Sequence, residues 1–346
     1  MAALTNRYVT LQLESAYGTE PTASEAGQFL GEVDDESFSQ NFDLLTRTDI
    51  SRYGASKSIQ GLTFSEGDVN CPLQLDNFNA FCLFSAFGVD TYNDGTSPKS
   101  HTFDEVTNDA LLPSFTIRVG REEKEHTYTG MVLNSLSLSA NINEYVMMTY
   151  SFVGCGESSV AALQTPGGGG TNPPAFSTVD ALHFAKAFVR FEALASSSNF
   201  SAMVKSISVE INLNRDTDNA SSLGNATYAV APPPQLREIT GSIEFNRDVA
   251  TAADNEPTYD EVRGFLLHNG SGSAPAIMIR LEDASSNYLE LKLPKVVYEA
   301  PELNVSGRDT STLSVNFVAL FDETDANMSS LKIGMDGING NAALTA

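Results

Sequence analysis

The chain has 346 residues, 44 of them acidic against 20 basic, for a formal net charge of -24. That length suits two domains of roughly 150 residues each, and a field of that sign repels phosphates, which excludes nucleic-acid binding through a basic patch. No run approaches the ~18 consecutive apolar residues of a membrane span. The opening MAALTNRYVTLQLESAYGTE lacks the charged-then-apolar layout of a signal peptide, so the expectation is a protein made in the cytoplasm with no membrane insertion.

In chain order, YVTLQLES opens as a strand and is followed by a long polar stretch, Val33–Gln60, into which Phe42, Leu44 and Leu45 are set. SIQGLTFSEGDVNCPLQL reads as strand, and DNFNAFCLFSAFG places Phe78, Phe81, Cys82 and Phe84 near helical spacing, with Gly88 as a stop. SFTIRVGREEKEHTYTG alternates Phe115, Ile117 and Val119 with Ser114, Thr116 and Arg118, which predicts a strand with one apolar face and a charged turn after it. A closing pair follows, with Leu136 and Leu138 in alternation and then Val146, Met148, Tyr150 and Phe152.

Composition then breaks at GESSVAALQTPGGGGTNPPAFSTVD, a flexible-linker signal. Beyond it the order repeats. FVRFEALA opens, a second long stretch runs from Asn212 to Glu238 with Leu223, Tyr228 and Val230 in it, and EITGSIEFNRD follows. TYDEVRGFLLHNG carries a capping box at Thr258 and Glu261 and a glycine stop at Gly270. AIMIRLEDASSNYLELK then repeats the earlier strand and turn, with Arg280 answering Arg118, and Leu313, Val315, Phe317 and Ala319 close the copy. The spacing between copies grows from 162 residues at Arg118 and Arg280 to 165 at Phe152 and Phe317, as a short loop insertion makes it. A duplicated β domain with one helix per copy accounts for this order. It sets a first domain over 1–156, a Gly/Pro-rich linker over 157–180, a second domain over 181–334 and a flexible tail over 335–346.

No catalytic constellation emerges, so the chain is read as a non-enzyme with no cofactor. The four histidines, His101, His126, His183 and His268, are scattered, and no metalloprotease helix, nucleophile elbow or dinucleotide turn is present. Gly167–Gly170 lacks the lysine of a phosphate loop. NRDTDN begins like a calcium loop, but its sixth position is Asn219 and its twelfth Asn225, so a surface turn is expected and no metal site. Cys71, Cys82 and Cys155 have no paired spacing and are read as buried free thiols. Six Asn-x-Ser/Thr triplets, at Asn199, Asn219, Asn225, Asn269, Asn304 and Asn327, follow from composition.

The N-terminal YVTLQLESAYGTEP, the run from ESFSQNFDLLTRTDISRYGASKSIQG to FNAFCLFSAFG, and SFTIRVGREEKEHTYTGMVLNSLSLSANINEYVMMTYSFVGCG together resemble the major tail tube proteins of long-tailed, siphovirus-like viruses. The resemblance covers most of the first half and, through the repeat, much of the second. It implies a mainly β fold, here two tandem β-sandwich or barrel-like tail-tube domains, each with one flanking helix. It implies a structural virion protein made in the host cytoplasm, whose rings stack into the conduit for genomic DNA. The partners are then other copies of itself, other tail proteins, and viral DNA that passes without specific binding. Phe42, Leu44, Leu45, Leu223, Tyr228 and Val230 are candidates for contacts between subunits or rings. Ser135, Ser137, Ser139, Ser208 and Glu210 are candidates for the lumen. If both copies line the channel, a homotrimer gives a pseudo-hexameric ring; if only the first does, a homohexamer is needed. The 12 arginines against 8 lysines and the surplus of carboxylates suit a halophilic host. The alternatives are an adhesion or carbohydrate-binding sandwich, for which the commonest stacking residue, Trp, is absent, or another tail component such as a tail tip.

Overall fold

The computed structural model describes residues 7–106, 112–191, 204–246, 276–299, 302–304 and 312–345, and the helix predicted near residues 258–270 lies outside them. The first half supplies β1 (Arg7–Leu13), β2 (Phe29–Gly31), β3 (Asp35–Glu36), β4 (Ser39–Arg47) and β5 (Lys57–Pro72), then α1 (Asn77–Phe87). It continues with β6 (Gly88–Asn93), β7 (Ser100–Glu105), β8 (Phe115–Arg121), β9 (Lys124–Asn141), β10 (Met147–Gly154) and β11 (Gly156–Ala162). The second half supplies β12 (Ala187–Phe191), β13 (Val204–Asn212), β14 (Glu238–Asn246), β15 (Ile277–Glu282) and β16 (Tyr288–Leu293). It ends with β17 (Val296–Tyr298), β18 (Glu302–Asn304), β19 (Thr312–Ala319) and β20 (Ser330–Gly334). The fold is thus mainly β, in two sheets with no closed barrel, and α1 is the one α-helix among the described residues.

The larger sheet runs β3-β5-β10-β9-β13-β14-β19-β17, antiparallel throughout. Along it alternation does what the sequence predicts. Val69, Met148, Tyr150, Leu136, Leu138, Ile207, Val209, Ile243, Val315 and Phe317 point into the core, and the residues between them point out. Strand β9 serves two layers. Its first part, to Met131, pairs with β8 and β11, and its second, from Val132, pairs with β10 and β13. Gly130 sits between these parts at φ 65, a conformation other residues avoid, and a Cβ there would lie 2.6 Å from the Cys155 sulfur. The smaller sheet runs β12-β15-β16-β20-β7-β6, so a hairpin of the first half extends a sheet of the second.

The pairing order recurs between the halves. Strands β1, β8 and β9 lie side by side, as do β12, β15 and β16. The chain then places β10 and β5 beyond β9, and β19 and β14 beyond β17 and β18. Gly67 stands opposite Phe152 as Gly241 stands opposite Phe317. The register of β9 on β10 slips by one residue between the pairs Ser135–Ser151 and Leu133–Phe152. The register on β19 slips by one between Leu303–Leu313 and Tyr298–Phe317.

Helix α1 is apolar all round and buried from Phe78 to Phe87, as a helix with no polar stripe must be. Asp76 caps its start by accepting from the Asn79 amide at 2.9 Å, and Gly88 at φ 90 ends it.

Four expectations change on contact with the fold. The polar stretch 33–60 is not a loop: most of it forms β3, β4 and the start of β5, a long hairpin whose outer part is exposed. Strand β8 does not expose its polar face, since Thr116 and Arg118 are buried under the segment between Gln12 and Pro21. The stretch expected as linker begins as a strand of β11, and beyond it Gly170 and Thr171 accept from Glu25 and Gln28 of the first half. The stretch expected as a tail buries Ile338 and Leu344, and the Leu344 amide donates to Asp90 at 2.7 Å.

Candidate functional site

Two surfaces stand out, a polar sheet face and a projecting hairpin. The face is the outer side of the larger sheet, where period-two alternation leaves short polar side chains in rows. Cross-strand registers bring the five lumen candidates together: Ser208 lies opposite Ser139, Glu210 opposite Ser137, and Ser135 next to both Ser151 and Asn212. The sequence reading missed most of their neighbours. Asp68, Asn70, Thr149, Ser151, Thr240, Ser242, Glu244, Ser314 and Asn316 lie on the same face, each signalled only by its place in an alternating run.

These side chains hydrogen-bond to one another across strands. Ser151 donates to Asp68 at 2.6 Å, Thr149 to Asn70 at 2.6 Å, Asn70 to Asp35 at 2.6 Å and Asn316 to Glu299 at 2.9 Å, while Ser208 and Ser242 share a bond of 2.9 Å. Cations are scarce. The stretches 66–70, 135–141, 147–151, 206–212, 238–244 and 314–318 contain no Lys or Arg. Lys205, which adjoins one of these stretches, is tied to Glu244 at 2.9 Å. Such a surface presents carboxylates and hydroxyls that hold each other in place, with few cations among the described residues to exchange for the counterions of a polyanion.

The hairpin carries the other candidates. Phe42, Leu44 and Leu45 are 54%, 60% and 62% exposed on β4, and the sequence reading missed Ile50, Tyr53 and Ile59, which are exposed beside them. Leu45 faces Ile59 across the hairpin, and Arg47 faces Lys57, a like-charge pair that costs free energy in an isolated chain. In the loop between β13 and β14, Leu223 and Val230 are exposed. Tyr228 is not: it is buried against Phe64 with ring centroids 6.0 Å apart, and burial raises its pKa. This loop and the base of the hairpin meet where the Thr63 amide donates to the Ala226 carbonyl.

Several of the described thiols and histidines are engaged in structure. Burial pushes the thiols of Cys71, Cys82 and Cys155 up, which favours their protonated form. His101 is buried against Asp90 at 2.8 Å and His126 pairs with Glu157 at 2.7 Å. In the calcium-like stretch, Asp216 accepts from the Asn219 amide and side chain, as a local turn does. Among the described residues no group of three or more His, Cys, Asp or Glu is placed to hold a metal ion, and no helix is long and apolar enough to cross a membrane.

No curated protein matches this chain. The model of one family, described as phage tail tube protein, matches residues 6–319, nearly the whole length and both halves of the repeated pairing order. With its β-rich architecture and its hydrogen-bonded, cation-poor sheet face, the chain belongs to the phage tail tube protein family and is a structural component of the virion tail.

Proposed function

We propose that this protein forms stacked rings whose bore carries the viral genome, with the outer face of the larger sheet as the lumen wall. The observation that carries the reading is the composition of that sheet. Each half contributes strands to one continuous polar face, β5, β10 and β9 from the first and β13, β14 and β19 from the second. Both copies of a duplicated domain therefore line the channel, and three chains complete a pseudo-sixfold ring. Three eight-stranded sheets at about 4.8 Å per strand give a bore about 37 Å across between backbones, wider than a DNA double helix. Carboxylates and mutually bonded hydroxyls on that wall let DNA slide, because binding would need cations to replace its counterions.

Stacking requires a head-to-tail contact distinct from ring closure. The β4–β5 hairpin suits it: a two-stranded hairpin with apolar side chains on both faces is marginal alone and gains stability by burying them in an adjacent ring. The loop bearing Leu223 and Val230 lies at its base and belongs to the same contact.

Electron microscopy of the purified protein tests the reading. Tubes or stacked rings are expected, with an isolated ring three times the 37.1 kDa chain mass. A ring of six chains would refute the trimer, and a monomer with no bore would refute the tube.

A further inference from the structure

The duplicated pairing order contains a template for how one chain meets the next. Where the halves join, β9 of the first pairs with β13 of the second, Leu138 opposite Val209, Ser137 opposite Glu210 and Ser139 opposite Ser208. Both ends of the larger sheet carry the counterparts of these two strands. At one end, β18 lies on β19 as the last part of β9 lies on β10. Superposing the repeat at Phe152 and Phe317 puts Leu303 where Leu138 stands, Glu302 where Ser137 stands and Asn304 where Ser139 stands. At the other end, β3 and β4 lie on β5 as β13 lies on β14. Superposing Gly67 on Gly241 puts Ser39 where Glu210 stands, Phe38 where Val209 stands and Ser37 where Ser208 stands. Neither end has a further strand among the described residues.

The edge at Phe38 is also incomplete in a telling way. Phe38 makes no hydrogen bond to another main-chain group among the described residues; its amide donates to the Glu36 carboxylate at 3.0 Å, and its carbonyl accepts from Arg121 at 2.6 Å and from the Tyr128 hydroxyl at 3.3 Å. Side chains thus hold the main-chain groups of this residue, a common way to keep an open edge from pairing indiscriminately.

We infer that the ring closes by antiparallel pairing of Glu302–Asn304 of one chain with Ser37–Ser39 of the next, Leu303 opposite Phe38, in the register of the β9–β13 junction. The occupant of each edge is a second copy of this chain, and the Glu36, Arg121 and Tyr128 bonds to Phe38 give way to main-chain bonds with Leu303. Because the same junction then recurs within and between chains, the bore is one uninterrupted sheet with no seam.

The inference rests on the tube reading and is tested by cysteine pairs in assembled protein. Ser139→Cys with Ser208→Cys serves as the internal standard and forms a bond within one chain under mild oxidation. Asn304→Cys with Ser37→Cys, and separately Glu302→Cys with Ser39→Cys, are expected to link chains into covalent dimers and closed trimers on a non-reducing gel. Asn304→Cys with Gln40→Cys, out of register and on the opposite face, is expected to link at least tenfold less. If the standard forms and tubes are present but neither in-register pair links chains, or the offset pair links equally, this closure is wrong while the tube stands. If the unmodified protein never assembles, both fall.

Discussion

Glu14 is buried and accepts four hydrogen bonds, from the hydroxyls of Ser114 at 2.8 Å and Thr116 at 2.8 Å and from the amides of Gly18 at 2.9 Å and Gly130 at 2.8 Å. One carboxylate therefore ties the end of β1 to β8 and to the bend in β9. Glu14→Ala leaves four donors without a partner and is expected to cost about 2–4 kcal/mol, read as a lowered denaturation midpoint. Arg118, also buried, donates to Gln12 at 2.6 Å and to the Pro21 carbonyl at 2.9 Å. Its counterpart Arg280 is half-buried, pairs with Glu282 at 2.7 Å and lies 4.0 Å over the Tyr288 ring. The twin arginines were legible from the strand pattern. Their different burial was not, because it depends on the segment after β1 folding over β8.

At the scale of elements, α1 depends on its ends. Asp76 is half-buried with one enclosed oxygen unpartnered, and desolvation raises its pKa to about 6. A carboxyl whose folded pKa exceeds its unfolded value of 3.8 stabilises most below that lower value, and the contribution is lost as pH rises through about 6. Asp76→Asn keeps a good cap without the charge. It is expected to raise the melting temperature at pH 7 and to flatten the pH dependence of stability between about 4 and 6. Gly88→Ala is expected to destabilise strongly, since its Cβ would fall 2.2 Å from Val106 in a left-handed turn. The outer part of the β4–β5 hairpin is the opposite case, since Leu44, Leu45 and Ile59 are exposed there. Changing Leu44, Leu45 and Ile59 to Ser is expected to leave melting within about 1 kcal/mol of the parent, because these residues are already exposed. The same change is expected to yield rings that do not stack, as counted in micrographs.

For the molecule as a whole, a net charge of -24 per chain multiplies in a ring. Raising the Debye length from about 3 Å at 1 M salt to about 30 Å at 0.01 M brings those charges into mutual repulsion. Rings are expected to dissociate on dialysis to low salt and to reform when salt returns, followed by light scattering. Rings that persist at low salt would show that edge pairing outweighs the repulsion.

By itself the sequence determined the mainly β class of the fold, the first helix with its glycine stop at Gly88, and the family resemblance. Those features are written in short-range alternation and spacing, which one strand or one helix turn is enough to impose. Only the tertiary structure decided that the first half's β6–β7 hairpin extends a sheet of the second, that Tyr228 is buried while Ile50 and Tyr53 are exposed, and that the stretches expected as linker and tail are held. It also decided which strand edges have no further partner among the described residues. Main-chain hydrogen bonds form between any two strands that arrive side by side, so the identity of the partner is carried by contacts far apart in sequence, which no local pattern records.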